Sequence, residues 1–293
     1  VGYVPEFFRK FKKQLFSTIQ FPVPNEYRIP KGLTLADYQN YCLEKMEKRF
    51  SKKDDIAAFI MESGAQMAGG VIIYPKDFQK KISKLCKKYN ILFVLDEIAT
   101  GFGRLGSMVQ YKEQKSIPDI VAYGKMLTGG YMTMAATLAS KKIYDSFSGE
   151  FYDWKHLFHG HTYTGNPLAA AVSNENIQMY KKYNLIKKIQ KTSKVFEKYY
   201  QEISNIDIVG DVRHKGMLMG IELVSNKEKK TPIRTKKSIN KVFFEEGKNQ
   251  GVYLRTLGNI VMLVPPLSIQ ENELEILLSR TIKTIQAAKS KII

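Results

Sequence analysis

Apolar runs and helical periodicity alternate through the first half of the chain. Asp55 to Glu62 carries six apolar residues and closes on an acid, which predicts a buried strand. Lys76 to Tyr89 has amphipathic helical spacing. Ile91 to Leu95 predicts a second buried strand running into Asp96 and Glu97, and Ile120 to Tyr123 a short third one that stops at Gly124 and Lys125. Continuous apolar strands separated by helices predict an α/β domain with a mostly parallel sheet covered on both faces. Ligands of such sheets gather at the carboxyl ends of the strands, where Glu62, Asp96 and Lys125 all fall.

The flanks read differently. Pro5, Pro22, Pro24 and Pro30 punctuate residues 1–55, leaving one helical stretch from Leu33 to Phe50. Beyond Gly165-Asn166-Pro167, helices are expected at 168–183 and 185–203, a strand at 217–224 and a helix at 236–250. Two short strands at 252–255 and 260–264 and a closing helix at 270–289 follow. This succession predicts a smaller C-terminal α+β domain, so the expected division is residues 1–174 and 175–293.

Composition narrows the class. The 293 residues are 44% hydrophobic and 25% charged, with formal charge +18 from 46 Lys+Arg against 28 Asp+Glu. That excess raises nucleic acid or an anionic membrane as partner. Only eight of the basic residues are arginine, however, and the lysines are scattered in pairs rather than clustered, which favours a solvated surface. The expectation is no nucleic-acid partner and no membrane partner. Cys42 and Cys86 have no metal or redox spacing, Val1 to Pro5 does not begin a signal peptide, and no apolar run is long enough to span a bilayer. A cytoplasmic protein with reduced thiols is expected.

Candidate chemistry starts at Asp96. A magnesium-binding acid of a nucleotide hydrolase would need a phosphate loop of the form G-x-x-x-x-G-K-[ST], and the sequence has none. An acid beneath a protonated heterocyclic nitrogen remains, as does an ordinary strand-end acid. Lys125, at a neighbouring strand end before Thr128-Gly129-Gly130, can form a Schiff base with a carbonyl compound. His156, His159 and His161 match no common metal spacing, so no metal is expected. Thr162, Thr164 and Asn166 precede a helix start, where donors suit either a phosphate or plain capping. Arg255, on a short apolar strand, suits an internal acid or a substrate carboxylate. Arg104, among glycines, suggests a structural turn and salt bridge.

Three segments together carry a resemblance. Leu95-Asp96-Glu97-Ile98-Ala99-Thr100-Gly101-Phe102-Gly103-Arg104, Pro118-Asp119-Ile120-Val121-Ala122-Tyr123-Gly124-Lys125-Met126-Leu127-Thr128-Gly129-Gly130 and His159-Gly160-His161-Thr162-Tyr163-Thr164-Gly165-Asn166-Pro167 resemble the class III (subgroup II) pyridoxal-phosphate aminotransferases. The match is in order along the chain and is most similar to the members of that family acting in biotin synthesis. The resemblance implies a PLP fold-type I enzyme with pyridoxal 5'-phosphate as cofactor. In it Lys125 would be the catalytic lysine that carries the cofactor and shuttles the proton, Asp96 would hold the ring nitrogen and Ile98 would pack on the ring. Thr162, with His161 beside it, would bind the cofactor phosphate of a neighbouring subunit, making a homodimer with a shared active site. Gly160, Arg255, Glu62 and Gln66 would line the substrate site, Arg255 taking a carboxylate. The small-molecule partners would be an amino donor, S-adenosylmethionine or lysine, and a keto acid.

Two departures stand out. The family's N-terminal part, with its Gly-Ser phosphate cup and ring-stacking aromatic, has no counterpart ahead of Val1, so an N-terminally incomplete large domain is expected. Met262 stands where users of S-adenosylmethionine tend to have tyrosine. Another class III enzyme acting on an ω-amino acid is the nearest competing reading, and a non-catalytic basic interaction or nucleic-acid-binding protein a distant one.

Overall fold

The computed structural model describes residues 8–52 and 55–293. The expectations for Val1 to Pro5 and for Lys53 lie outside the described residues. Contacts divide the chain into two units, the first taking Val1–Ala65, Tyr74–Phe102 and Ser107–Tyr183 and the second Gln66–Ile73, Gly103–Gly106 and Asn184–Ile293.

The first unit is built on strands β1 (Ala58–Glu62), β2 (Leu92–Asp96), β3 (Ile120–Tyr123) and β4 (Ala136–Ala139), hydrogen-bonded in that order. The first three are parallel, as their apolar runs predict. Strand β4 is antiparallel to β3, and its Ala-Thr-Leu-Ala sequence has too little apolar character to announce it. Along β2, Phe93 and Leu95 are sealed while the alternate positions are half-buried. Ile60 and Leu138, on the outer strands, are about half exposed, at 52% and 53%. Cover on the second face is therefore only partial within this chain, unlike the two-sided cover expected.

The helices of this unit are α1 (Leu35–Phe50), α2 (Phe78–Lys88), α3 (Gln110–Glu113), α4 (Lys141–Ser146) and α5 (Pro167–Lys182). Helix α1 starts at a capping box, the Thr34 hydroxyl accepting the Asp37 N–H while Asp37 accepts the Thr34 N–H. Its buried Cys42, Met46 and Phe50 recur every four residues on one face, as do Phe78, Ile82 and Cys86 of α2. Full burial of such side chains is worth about 1.5–3 kcal/mol each against exposure. Helix α5 begins where the sequence signals it, with Asn166 accepting the N–H groups of Leu168 and Ala169 and Pro167 in the first turn.

In the second unit, β5 (Val209–Lys215), β6 (Leu218–Asn226), β7 (Arg255–Leu257) and β8 (Ile260–Leu263) form an antiparallel sheet in the order β7-β8-β6-β5. Its helices are α6 (Leu185–Thr192), α7 (Val195–Ser204), α8 (Ile239–Asn249) and α9 (Glu271–Ile292). The helix expected over 185–203 is two helices, parted at Ser193 and Lys194. Strand β5 escapes prediction because its sequence, Val-Gly-Asp-Val-Arg-His-Lys, is mostly polar.

The excursion Gln66–Ile73 joins this unit by close packing. Val71 is fully buried at φ 56, and a Cβ on Gly220 would lie 2.7 Å from the Val71 Cβ, so only glycine fits beneath it. Arg213 donates through Nε to the Val71 carbonyl at 2.7 Å and through Nη2 to that of Gly70, while Nη1 reaches Asp211 and, at 3.0 Å, Glu222.

Candidate active site

The parallel register aligns the strand ends. Glu62 stands opposite Asp96 across β1 and β2, and Asp96 opposite Ala122 across β2 and β3, so Lys125 follows one turn of chain beyond the same edge. The Asp96 carbonyl accepts the Ser63 N–H at 3.0 Å, and the Glu97 N–H donates to the Ala122 carbonyl at 2.9 Å. Hydrogen bonds thus join the three chains immediately past the acids as well as within the sheet.

Local bonds aim the side chains. The Asp96 carboxylate accepts the N–H of Ile98 at 2.9 Å, a short Asx turn that fixes it over its own loop. A Cβ on Gly124 would lie 3.2 Å from Cγ2 of Ile98, so the Ile98 methyl occupies the space that a side chain on the lysine's neighbour would need. Lys125 is exposed and has φ 45, the left-handed region, which costs a non-glycine residue about 1–2 kcal/mol. Strain of this kind collects at functional positions. The short 3-10 turn Lys125–Thr128 is held from behind by α5, whose Asn176 amide donates to the carbonyls of Met126 at 2.7 Å and Leu127 at 3.2 Å.

Behind the edge lie groups that sequence reasoning missed. Tyr74 is buried, and burial followed by the nearby Glu62 and Asp96 charges holds its hydroxyl well above the ordinary phenol range. Gln79, fully buried on α2, accepts the Gly64 N–H at 2.8 Å and donates to the hydroxyls of Ser63 and Ser116, fixing the turn after Glu62. Glu97 is fully buried, and its two oxygens accept the N–H groups of Gln110 and Tyr111. Burial pushes its carboxyl above the ordinary range, partly offset by these bonds and by hydrogen bonds with Ser63 and Tyr123. A buried acid directly after a strand-end acid was the available signal, since two successive strand residues face opposite ways.

The remaining predicted residues fall elsewhere. Gly160, His161 and Thr162 lie in an exposed loop braced by local hydrogen bonds, such as His161 N–H to the Thr164 hydroxyl at 2.9 Å. Gln66 and Arg255 belong to the second unit. The Gln66 amide folds over Gly69, where a Cβ would stand 2.5 Å from it. Arg255 opens β7 opposite Met262 and is exposed, so the burial cost expected of a guanidinium on an apolar strand does not arise. Arg104 is buried and donates to the carbonyls of Met217 and Pro265 at 2.8 and 2.7 Å. Among the described residues no cluster of His, Cys, Asp and Glu could hold a metal ion, and no helix is long and apolar enough to cross a membrane.

An acid at the end of β2, a lysine in the left-handed region just past the end of β3 and Ile98 against Gly124 thus share one sheet edge. The chain belongs to the class III aminotransferase family, whose model matches residues 5–285. It is 39% identical over 276 residues to the adenosylmethionine-8-amino-7-oxononanoate aminotransferase of Staphylococcus aureus, covering 94% of this chain and 60% of that protein. Among solved structures, the enzyme of the same name from Methanocaldococcus jannaschii superposes with TM-score 0.83 at 35% identity, over 97% of this chain and 63% of that one. A thermostable omega transaminase variant from Pseudomonas jessenii superposes with TM-score 0.92 at 27% identity, over 99% and 64%. The fold is accordingly that of the transaminases, and the chain spans about three fifths of the length of the curated relatives it matches.

Proposed function

We propose that this protein is a pyridoxal-phosphate aminotransferase of biotin synthesis, converting 8-amino-7-oxononanoate to 7,8-diaminononanoate. The observation that carries the reading is the juxtaposition of Asp96, Ile98 and Lys125 at one sheet edge, with Ile98 against Gly124. The names of its relatives from S. aureus and M. jannaschii support the substrate.

When bound, pyridoxal 5'-phosphate supplies an electron sink for negative charge at the substrate Cα. Asp96 would hold the protonated ring nitrogen, its carboxylate already turned by the Ile98 N–H. Ile98 would cover one face of the ring. Lys125 would hold the aldehyde carbon and, once its amine is free, take the proton from Cα and deliver it to that aldehyde carbon. Arg255 would receive the substrate carboxylate through its planar fork, with Glu62, Gln66 and Gly160 lining the substrate site. Thr162, beside His161, would contact the phosphate of a second copy. A homodimer is supported by the exposed aromatic group around that loop, where Phe151, Trp154, His156 and Phe158 pack ring against ring with little else over them. The large cofactor domain would take residues 1–174 and the small domain 175–293. Buried free thiols at Cys42 and Cys86 suit a cytoplasmic protein.

A second reading has a specific observation in its favour: the higher TM-score against the omega transaminase, 0.92 compared with 0.83. Both are tested by incubating the full-length protein with pyridoxal phosphate. The proposal expects visible-range absorbance that Lys125→Ala abolishes and that single-turnover mixing with S-adenosylmethionine or lysine bleaches. Recovery of the colour by 8-amino-7-oxononanoate favours the first reading, and recovery only by a simple ω-oxo acid favours the second. Persistence of the colour in Lys125→Ala sinks both.

A further inference from the structure

We propose that Glu97 is a positioning residue that clamps the three strand ends carrying Glu62, Asp96 and Lys125 into one frame, an inference resting on the function proposed above. Each contact leads directly to a site residue. Ser63, whose hydroxyl lies close enough to Glu97 to lower its pKa, is the next residue after Glu62. Glu97 itself follows Asp96. Tyr123, whose phenol lies beside Glu97 in the same way, stands two residues before Lys125 and adjoins Gly124.

The far side of the carboxylate is equally occupied. One oxygen accepts the Gln110 N–H at 2.9 Å and the other the Tyr111 N–H at 2.6 Å, at the start of α3. Main-chain bonds tighten the knot: the Glu97 N–H reaches the Ala122 carbonyl at 2.9 Å, and the Glu97 carbonyl accepts the Gly101 N–H at 3.0 Å. A Cβ on Gly101 would lie 2.9 Å from that carbonyl, so the loop turns tightly against it. A fully buried carboxylate costs several kcal/mol unless donors surround it. Here the donors come from α3, and the hydroxyls of Ser63, just past β1, and Tyr123, on β3, lie beside the same carboxylate. Asp96 and Glu97 divide the work, one directed to the site and the other to its support.

A purely local role, as the anchor of the 98–109 loop on α3, predicts something different. Glu97→Gln separates the two, because both oxygens are engaged by N–H donors and an amide must present an NH2 to one of them. In the full-length, cofactor-free protein, hydrogen exchange measured by mass spectrometry is expected to rise about tenfold in peptides covering 61–65, 96–98 and 123–128, as well as 108–113. A rise confined to 108–113 overturns the proposal. In the protein loaded with pyridoxal phosphate, kcat for amino transfer is expected to fall roughly ten- to hundredfold with KM little changed, and the visible circular dichroism of the bound cofactor to shift. A folded Glu97→Gln with unaltered kcat and dichroism overturns it as well. If Glu97→Gln does not fold, Glu97→Asp, which withdraws the carboxylate by one methylene, is read in the same way. A wild-type protein that never takes up pyridoxal phosphate refutes the proposed function instead, and the exchange comparison still decides the role of Glu97.

Discussion

Ile98 fills the space beside Gly124: its Cγ2 lies 3.2 Å from where a Cβ would stand. The backbone of Gly124 is extended, at φ −170, so the constraint is one of room and not of backbone conformation. Ile98 is β-branched and stiff at χ1, which limits how far it can withdraw. Gly124→Ala is expected to lose about 1–2 kcal/mol in urea unfolding, and Ile98→Ala introduced with it should restore part of that loss. A double-mutant cycle coupling of at least about 0.5 kcal/mol is the measurement; strict additivity would show that the two residues do not meet.

Arg213 ties the Gln66–Ile73 excursion to β5 and β6 through carbonyl and carboxylate partners at once. Its side chain is 12% exposed and that of Glu222 only 6%. Removing the guanidinium leaves its carboxylate partners without that cation, a change that costs about 3–5 kcal/mol at buried sites. Arg213→Ala should therefore lower the urea midpoint far more than Arg280→Ala, whose arginine bonds only the exposed Gly251 carbonyl. Equal midpoints would contradict the assignment.

His214 is half-buried beside Phe196, its sealed Nδ1 lacking a hydrogen-bond partner among the described residues. Burial lowers its pKa from the ordinary 6.5, with Glu197 opposing the shift. The unfolded chain therefore takes up this proton more readily than the folded one. The group's contribution to stability is complete above about pH 6.5 and declines as pH falls through that value toward the folded pKa. His214→Gln should flatten the stability profile between about pH 7 and pH 5, as followed by urea unfolding at each pH. An unchanged slope would exclude His214 as its source.

The two thiols give a simpler test. Burial pushes Cys86 up to about 12 and Cys42 to about 11, which leaves almost no thiolate at neutral pH. A colorimetric thiol reagent should find neither in the native protein and both after denaturation. Rapid native labelling of either would show that its helix opens far more readily than its packing indicates.

The parallel strands were legible from their continuous apolar runs: β2 and β3 each have two sealed positions that demand apolar residues, and Glu62 and Asp96 end β1 and β2 sharply. The site residues on that edge were legible for the same reason. Strands β4 and β5 were not: Ala136–Ala139 is made of small residues, and Val209–Lys215 is kept in the sheet by Arg213 and its distant partners, which no local pattern records. Arg255 was read as buried from its apolar neighbours, but the strand opens at that residue and its side chain faces solvent. Gln79 was invisible for a related reason, since a buried polar side chain is recognised by partners far along the chain, and for Glu97 only its place directly after a strand-end acid gave a signal. The Gln79 bonds span up to 37 residues.

The interleaving of the two units bears on how the chain is made. Residues 66–73 are made well before the partners that bury them: the arginine that grips the Val71 carbonyl lies 142 residues further along, and the glycine floor beneath Val71, Gly220, follows it. Until then this short stretch has a buried destination and no surface to occupy it. A fragment cut at 183/184 would separate Arg213 from both carbonyls it holds. Translation supplies the lock well after the key.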